Sequence, residues 1–187
     1  MFRKLRLPIA ATSALLITGC AHAARSPSSG TGETLGASAV LVDFLGKSVG
    51  TATFTQAGSG PVRLQVDVVG LNPGSHGIHI HAVGSCASSG GTPFAAAGAH
   101  FNPGSRAHGL LNPNGTHGGD LPNLTVGSDG RGHLSTTTDR LTLAAGPTSV
   151  FDADGSSIVI HAAPDDQRTD PSGSSGARFA CGVLQRS

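Results

Sequence analysis

The segment Val62-Arg63-Leu64-Gln65-Val66-Asp67-Val68-Val69 alternates apolar and polar side chains with a period of two. Successive side chains of a β-strand point to opposite faces, so this alternation predicts a strand with one buried and one solvated face. Seven further β-rich runs are separated by turn-forming residues such as those at 128–130. These runs cover residues 40–44, 49–56, 77–82, 124–126, 132–137, 157–162 and 179–184. No amphipathic helix pattern interrupts them, so we expect an all-β, eight-stranded antiparallel sandwich or flattened barrel.

The composition agrees with short strands joined by turns. Of 187 residues, 28 are Gly and 11 are Pro, and both types favour turns over long helices. The length fits one domain with an added export segment. Charged residues make up 12% of the chain and its formal net charge is +1. A basic surface of the kind that binds nucleic acid is therefore not expected.

The N-terminal segment is typical of an export signal. Three basic residues within positions 3–6 precede an apolar run over 7–18, which is too short to span a bilayer comfortably. The run ends in Leu16-Ile17-Thr18-Gly19-Cys20, which resembles the bacterial lipoprotein signal. The alternative is an ordinary secretory signal in which Cys20 is coincidental.

The lipoprotein interpretation divides the chain into three parts. We expect a signal peptide at 1–19, a lipidated Cys20 with a flexible tether over 20–36, and one domain at 37–187. The domain would then be exported and held at a membrane of the cell envelope, on its periplasmic or outer surface.

The cysteine count is consistent with export. Assigning Cys20 to a lipid leaves Cys86 and Cys181 as an even pair in an oxidising compartment, where a disulfide is expected. The alternative is two buried free thiols.

Two long segments without a strand pattern, 83–123 and 163–177, are expected to be functional loops. On the strand before the first loop, His79 and His81 are two residues apart and project from the same face, so both can reach one metal ion. His161 is placed in the same way on the strand before the second loop. Four imidazoles, those three and one more, suit a copper(II) site.

The first long loop carries a second set of potential ligands. His100, His108, His117 and Asp120 are separated by glycine-rich stretches that let a loop fold back on itself. Three imidazoles and a carboxylate match the tetrahedral preference of a closed zinc site. The alternative is a solvated loop that happens to contain histidines.

Together these residues resemble the copper/zinc superoxide dismutase family over the whole domain. The resemblance rests on Gly77-Ile78-His79-Ile80-His81, Gly84-Ser85-Cys86, Gly98-Ala99-His100-Phe101-Asn102-Pro103, His108, His117-Gly118-Gly119-Asp120-Leu121-Pro122, Val159-Ile160-His161, Asp165-Asp166 and Ala177-Arg178-Phe179-Ala180-Cys181-Gly182-Val183. It implies a Greek-key barrel that dismutes superoxide to oxygen and hydrogen peroxide with a redox-cycling copper beside a structural zinc. It also implies a Cys86–Cys181 disulfide.

The resemblance further assigns the site residues. Copper would be bound by His79, His81, His100 and His161, and zinc by His100, His108, His117 and Asp120. His100 would bridge the two metals and carry a proton during turnover. Asp165 would orient one ligand of each metal, and Arg178 would attract the superoxide anion beside copper. His22, His76 and His133 match no ligand position and are expected to be surface residues without a role.

Two features depart from the family pattern. The loop 163–177 contains three aspartates and one arginine, which places strong positive guidance of the substrate in doubt. The segment 87–99 consists mostly of small residues and does not indicate how subunits associate, so both a homodimer and a monomer are compatible with the sequence. A different class of function also stays open, namely an envelope lipoprotein that holds copper and zinc without turnover. A sandwich used for adhesion is disfavoured by the complete ligand set.

Overall fold

The computed structural model describes residues 33–187, and these residues form an all-β domain. Ten strands are joined by antiparallel pairing, with one 3₁₀ turn, Ala95–Ala97, in the described part of the chain. Among residues 33–187, no helix has the length and apolar character needed to cross a membrane. The strands are β1 (Thr34–Asp43), β2 (Ser48–Ala57), β3 (Val62–Val69), β4 (Gly74–His76), β5 (Ile78–His81), β6 (Leu124–Val126), β7 (Arg131–Thr138), β8 (Ser157–His161), β9 (Arg178–Val183) and β10 (Gln185–Arg186).

The sheet forms a nearly closed barrel. Its strands lie in the order β4-β6-β7-β3-β2-β1-β9-β8-β5, with β10 paired to β1. The two ends of this order, β4 and β5, are consecutive in the chain and are separated only by Gly77. The first and last strands of the sheet are therefore covalent neighbours, which brings the two ends of the sheet together. The predicted fold class is confirmed.

All eight predicted strands are present, and the structure adds β4 and β10. These two strands contain three and two residues, too few to show an alternation of apolar and polar side chains. Backbone pairing with β6 and β1 defines them instead.

The start of the domain differs from the predicted boundary at residue 37. Strand β1 begins at Thr34, because Thr34 and Leu35 pair with Ala57 and Gln56 of β2. The C-terminal residue is hydrogen-bonded to the same segment, since the Ser187 N–H donates to Gly36 O at 3.1 Å. Residues 34–36 thus belong to the barrel. Cys20 and most of the predicted tether lie outside the described residues.

The barrel core and the histidine face lie on opposite sides of β5. Ile78 and Ile80 are fully buried in the main apolar core, together with Ile158 and Ile160 of the neighbouring strand β8. His79 and His81 point to the other face, where the long loops 82–123 and 162–177 cover them and leave them almost without solvent exposure. The core side of β5 thus anchors the strand, and its opposite side carries the polar site.

Candidate metal centre

Four histidines from two strands and one loop form the first group of potential ligands: His79, His81, His100 and His161. One ring nitrogen from each lies within 4.8 Å of those of the other three. Those inward nitrogens are His79 Nδ1, His81 Nε2, His100 Nε2 and His161 Nε2, and all four are buried without a hydrogen-bond partner among residues 33–187. We call this set the four-histidine group.

The outward nitrogen of each ring has a polar partner that orients it. His79 Nε2 lies 2.8 Å from Asp165 Oδ2, and His81 Nδ1 lies 2.9 Å from Gly98 O. His161 Nδ1 lies 3.2 Å from Gly176 O. Each partner is an acceptor, so the outer nitrogen donates its N–H and the inner nitrogen keeps a free lone pair.

The second group, called the mixed group, consists of His100, His108, His117 and Asp120. Asp120 Oδ1 lies 3.0 Å from both His100 Nδ1 and His108 Nδ1, and 3.2 Å from His117 Nδ1. His117 Nδ1 and His100 Nδ1 are 3.3 Å apart. The other oxygen of Asp120 accepts hydrogen bonds from the N–H groups of Gly109 and His117. His100 belongs to both groups, with Nε2 facing one and Nδ1 facing the other.

Asp165 connects the two groups a second time. Its carboxylate accepts hydrogen bonds from His79 Nε2 at 2.8 Å and from His108 Nε2 at 3.0 Å. The side chain of Asn123 holds the Asp165 backbone from both sides, because Asn123 Nδ2 donates to Asp165 O and Asp165 N donates to Asn123 Oδ1. These two hydrogen bonds fix the position of Asp165, and its carboxylate in turn orients both rings.

The electrostatics of the two groups differ. Burial, only partly offset by the hydrogen bond to Asp165, lowers the pKa of His79 to about 3, and burial lowers the pKa of His161 to about 4. Although burial would lower it, hydrogen bonds to Asp120 and Asp165 raise the pKa of His108 to about 9. Burial alone would raise the pKa of Asp120, but hydrogen bonds from three histidines hold it well below its ordinary range. The four-histidine group thus presents neutral imidazoles, and the mixed group pairs imidazoles with an ionised carboxylate.

A cavity of about 210 Å³ opens onto the four-histidine group and is lined by His81, His100, His161 and Arg178. The Arg178 guanidinium donates to the carbonyl oxygens of Phe94 and Gly98. Its cation is therefore held in place at the entrance to the buried rings.

The disulfide stabilises the segment that holds Arg178. Cys86 and Cys181 are bonded, with a Cα–Cα distance of 5.7 Å, which confirms the predicted disulfide. Around it, Phe94, Ala97 and Val159 form a small apolar cluster apart from the main core. The loop carrying Phe94 is thereby attached to β9, the strand on which Arg178 lies.

Comparison with known proteins agrees with this geometry. Residues 48–184 match the family model of copper/zinc superoxide dismutase (SODC). The chain belongs to this family. Among its relatives, the Cu-Zn superoxide dismutase of Deinococcus radiodurans is 47% identical over 154 residues, covering 78% of this chain and 81% of that protein. The Cu-Zn enzyme of Caulobacter vibrioides is 44% identical over 153 residues, covering 80% and 85%.

A solved structure also resembles this dismutase domain. The crystal structure of a SOD-like protein from Bacillus subtilis matches with a TM-score of 0.73 at 39% identity, covering 79% of this chain and 97% of that one. The fold of the domain is therefore shared with an experimentally determined structure.

Copper and zinc are the cofactors of this family, and the residues of the chain fit both. Four neutral imidazoles with inward lone pairs suit copper. In the mixed group, the four distances of 3.0 to 3.3 Å between ligand atoms are close to the edge of a tetrahedron with zinc–ligand bonds of about 2.0 Å, which is about 3.3 Å. The buried unpartnered nitrogens are also what a bound metal ion would satisfy.

One prediction about a histidine outside the two ligand groups is wrong. His76 was expected at the surface but is 5% exposed, because the unpredicted strand β4 turns it inward. Its ring nitrogens lie 2.8 Å from His161 O and 2.9 Å from Asn72 O. His133 is exposed as expected and pairs with Asp67 on the outside of the barrel. His22 lies outside the described residues.

Asn123 is a site residue that the sequence analysis did not identify. It directly follows the run His117–Pro122 on which the family resemblance rests, and this position was its only signal. Its role depends on a contact 42 residues away in the chain, which no local pattern predicts.

Proposed function

We propose that the chain converts superoxide to oxygen and hydrogen peroxide at a copper ion held by the four-histidine group, beside a zinc ion held by the mixed group. The observation that carries this proposal is the convergence of four ring nitrogens, buried and unpartnered within residues 33–187, beside a cavity that is lined by three of those histidines and by a fixed cation, Arg178. Two superoxide ions and two protons give one molecule of each product.

The bound copper supplies the one-electron chemistry because it cycles between two oxidation states, and zinc supplies a fixed positive charge. Arg178 attracts and orients the small anion, since its guanidinium stays protonated and its position is set by two carbonyl groups. His100 Nε2 faces the four-histidine group while Nδ1 lies 3.0 Å from Asp120 Oδ1, so Nε2 can take up a proton from solvent and pass it to the substrate while Asp120 keeps the ring oriented. Asp165 holds the rings of His79 and His108 in orientation.

A metal-holding protein without turnover is the second candidate function. The ligand groups serve it equally well, so they do not discriminate. Arg178 does, because a store of metal cations has no use for a fixed cation beside the open face of its copper ligands. The structure therefore favours the enzyme.

The test compares dismutation by metal-loaded wild type and Arg178→Ala, with copper and zinc quantified in each sample and the metal-free protein as a blank. Arg131→Ala is the control, since it removes an equal charge from an exposed position on β7. We expect Arg178→Ala to lose roughly tenfold or more in rate with both metals retained, and Arg131→Ala to match wild type. Bound metals with no turnover in wild type would establish the storage function instead.

We also propose that this activity protects the cell envelope, with the chain exported by residues 1–19 and anchored by a lipid on Cys20. The basic and apolar sequence before Cys20 supports this location, and a disulfide is typical of oxidising compartments. Mass spectrometry of the protein from membrane fractions should find an N-terminal diacylated Cys20, and Cys20→Ala should move the protein to the soluble fraction. A membrane-bound Cys20→Ala protein would contradict the anchor. Association into a homodimer stays a prediction, to be measured by sedimentation equilibrium.

A further inference from the structure

A second cavity, of about 310 Å³, lies beside the mixed group and shares no lining residue with the cavity of about 210 Å³ described above, which we call the Arg178 cavity. It lies between the loop that follows His100 and the loop that follows β7. Its walls include Pro103, Arg106, Thr116, Gly118, Arg140 and Thr148. Neither the ligand groups nor the Arg178 cavity account for it.

The charges of this cavity are not balanced. It contains two guanidinium groups, Arg106 and Arg140, and none of the described residues that line it is acidic. Within residues 33–187, neither arginine has a carboxylate at ion-pair distance. Asp139, next to Arg140 in sequence, lines an adjacent cavity that shares Thr148 with this one, but it does not line the cavity of the two arginines. Two uncompensated cations facing one space attract an anion.

Hydrogen-bond donors remain free at the same place. Arg140 Nη2 donates to Asp120 O at 2.7 Å and Arg140 Nε is buried away from solvent, which leaves Nη1 as the donor of this guanidinium without a partner among residues 33–187. The Thr148 hydroxyl makes no hydrogen bond within the described chain, whereas the Thr116 hydroxyl is committed to Asp120 Oδ2 at 2.7 Å. The unused donors that line this cavity are therefore the Arg106 guanidinium, Arg140 Nη1 and the Thr148 hydroxyl.

The cavity depends on a close approach of the two loops. At Gly118, an added Cβ would lie 3.2 Å from Arg140 O, Pro103 Cδ and Phe101 Cδ1. The absence of a side chain there lets the first loop pack against the backbone of Arg140. The two arginines, 34 positions apart in the sequence, thereby come to line one space.

We propose that this cavity binds a small tetrahedral oxyanion of the phosphate class. Guanidinium groups match phosphate oxygens in shape and charge, and charge-assisted hydrogen bonds are the strong ones. A bound anion would neutralise both arginines. Through the bond from Arg140 Nη2 to Asp120 O, it would also stabilise the loop that carries the mixed group.

The experiment is an NMR titration of the metal-loaded full chain, reduced so that copper is diamagnetic, with inorganic phosphate at constant ionic strength. Arg178 offers phosphate another site, so binding must be located residue by residue. We expect saturable shifts at the amides of Thr116, Gly118 and Arg140. Arg106→Ala should weaken this binding about tenfold or more, the loss expected for charge-assisted bonds, while dismutation is unchanged.

Arg63→Ala is the matched control, because it removes an exposed arginine from β3 and should leave phosphate binding within about twofold of wild type. Arg140→Lys keeps the charge but loses the planar fork and should also weaken binding. If that variant does not fold, Arg106→Ala decides alone. Shifts confined to the lining of the Arg178 cavity, or an equal loss in Arg63→Ala and Arg106→Ala, would overturn the proposal.

Discussion

At the scale of single residues, the two nitrogens of each imidazole have separate tasks. In the four-histidine group the outward nitrogen donates to a carboxylate or carbonyl, and the inward nitrogen is left with a free lone pair. His100 differs, because its second nitrogen faces the mixed group at 3.0 Å from Asp120 Oδ1. A single ring therefore couples the two groups, so a change in the orientation of His100 affects both.

The first prediction concerns His161. His161→Ala should reduce dismutation by roughly 100-fold or more, because even the partners that orient metal ligands are typically worth 10–100-fold. Copper content should fall while zinc is retained, since His161 is not in the mixed group. Activity and metal content measured on one preparation check this, with the exposed His133→Ala as control. Full activity in His161→Ala would refute the ligand assignment.

The second prediction concerns Asp165, which bonds to one histidine of each group. Asp165→Asn preserves the shape of the side chain, but a carboxamide has only one acceptor oxygen. It can therefore no longer accept hydrogen bonds from both His79 Nε2 and His108 Nε2 as the carboxylate does. Affinity for both metals should fall by roughly 10–100-fold, as measured by competition with chelators of known affinity.

Asp166→Asn is the control for this substitution. Asp166 is exposed and its hydrogen-bond partners, Arg168 and Thr169, belong to its own loop. Its replacement should leave metal affinity unchanged. If Asp165→Asn weakened one metal alone, Asp165 would not couple the groups.

At the scale of elements, the first long loop docks onto the edge of β5. Ile80 N donates to Gly119 O at 2.9 Å, and Phe101 N donates to Ile80 O at 2.8 Å. The segments that carry His100 and Asp120 are thus aligned with the strand that carries His79 and His81. The bridges between His79 and Asp120 and between His81 and His100 belong to this arrangement.

The third prediction tests this docking at Gly119. A Cβ at Gly119 would lie 2.2 Å from Ile80 O, so the backbone must move. Gly119→Ala should destabilise the protein by about 2 kcal/mol or more, the cost typical of overpacking, and weaken zinc binding. Urea unfolding measures the first effect and chelator competition the second.

Gly104→Ala is the matched control in the same loop. There a Cβ would make only an ordinary contact, 3.5 Å from Arg106 Cγ. Its free energy of unfolding should stay close to that of wild type. Equal stability of the two variants would show that the loop does not depend on close approach at Gly119.

At the scale of the whole molecule, the barrel keeps a cluster of ionisable rings out of water. The apolar residues of β5 and β8 anchor one side of the cluster, and the two long loops cover the other. Without metal, this arrangement is sensitive to pH, because protonation of a buried imidazole requires a charge in a place with little solvent.

The fourth prediction concerns the stability of the metal-free protein. The pKa of His79 is about 3 and that of His161 about 4 in the fold, against 6.5 when unfolded. Below pH 6.5 these two histidines bind more protons in the unfolded chain than in the folded protein. The free energy of unfolding therefore falls as pH falls. Between pH 7 and 5.5 these two residues should lower the free energy of unfolding by roughly 2 kcal/mol, as measured by urea unfolding.

His108 acts in the opposite direction above neutrality. Its pKa is raised to about 9, so the stability it contributes below pH 6.5 is lost as pH rises toward 9. The metal-free protein should therefore be most stable near neutral pH. In metal-free His161→Ala, the fall in the free energy of unfolding between pH 7 and 5.5 should be smaller than in wild type by about 1 kcal/mol. The same fall in both proteins would contradict the role of His161.

Much of the fold could be predicted from the sequence. The alternation in β3 and the isoleucines flanking His79 and His81 identified strand faces, because a period of two is a local property. The ligand groups were predicted through their spacing and the family resemblance, and the structure brings those residues together. Strand β4, the inward position of His76 and the start of β1 at Thr34 were not predicted, since backbone pairing between distant segments determines them.

By itself, the sequence determined the fold class, the residues able to bind metals and the even cysteine pair, because strand periodicity and side-chain chemistry are local properties of the chain. Only the tertiary structure decided which ring nitrogen faces inward, how Asn123 holds Asp165, and how Phe94 and Gly98 position Arg178. It also brought Arg106 and Arg140 to one cavity. These features depend on contacts between segments far apart in the chain, and their distances arise only when the barrel closes and the loops pack onto it.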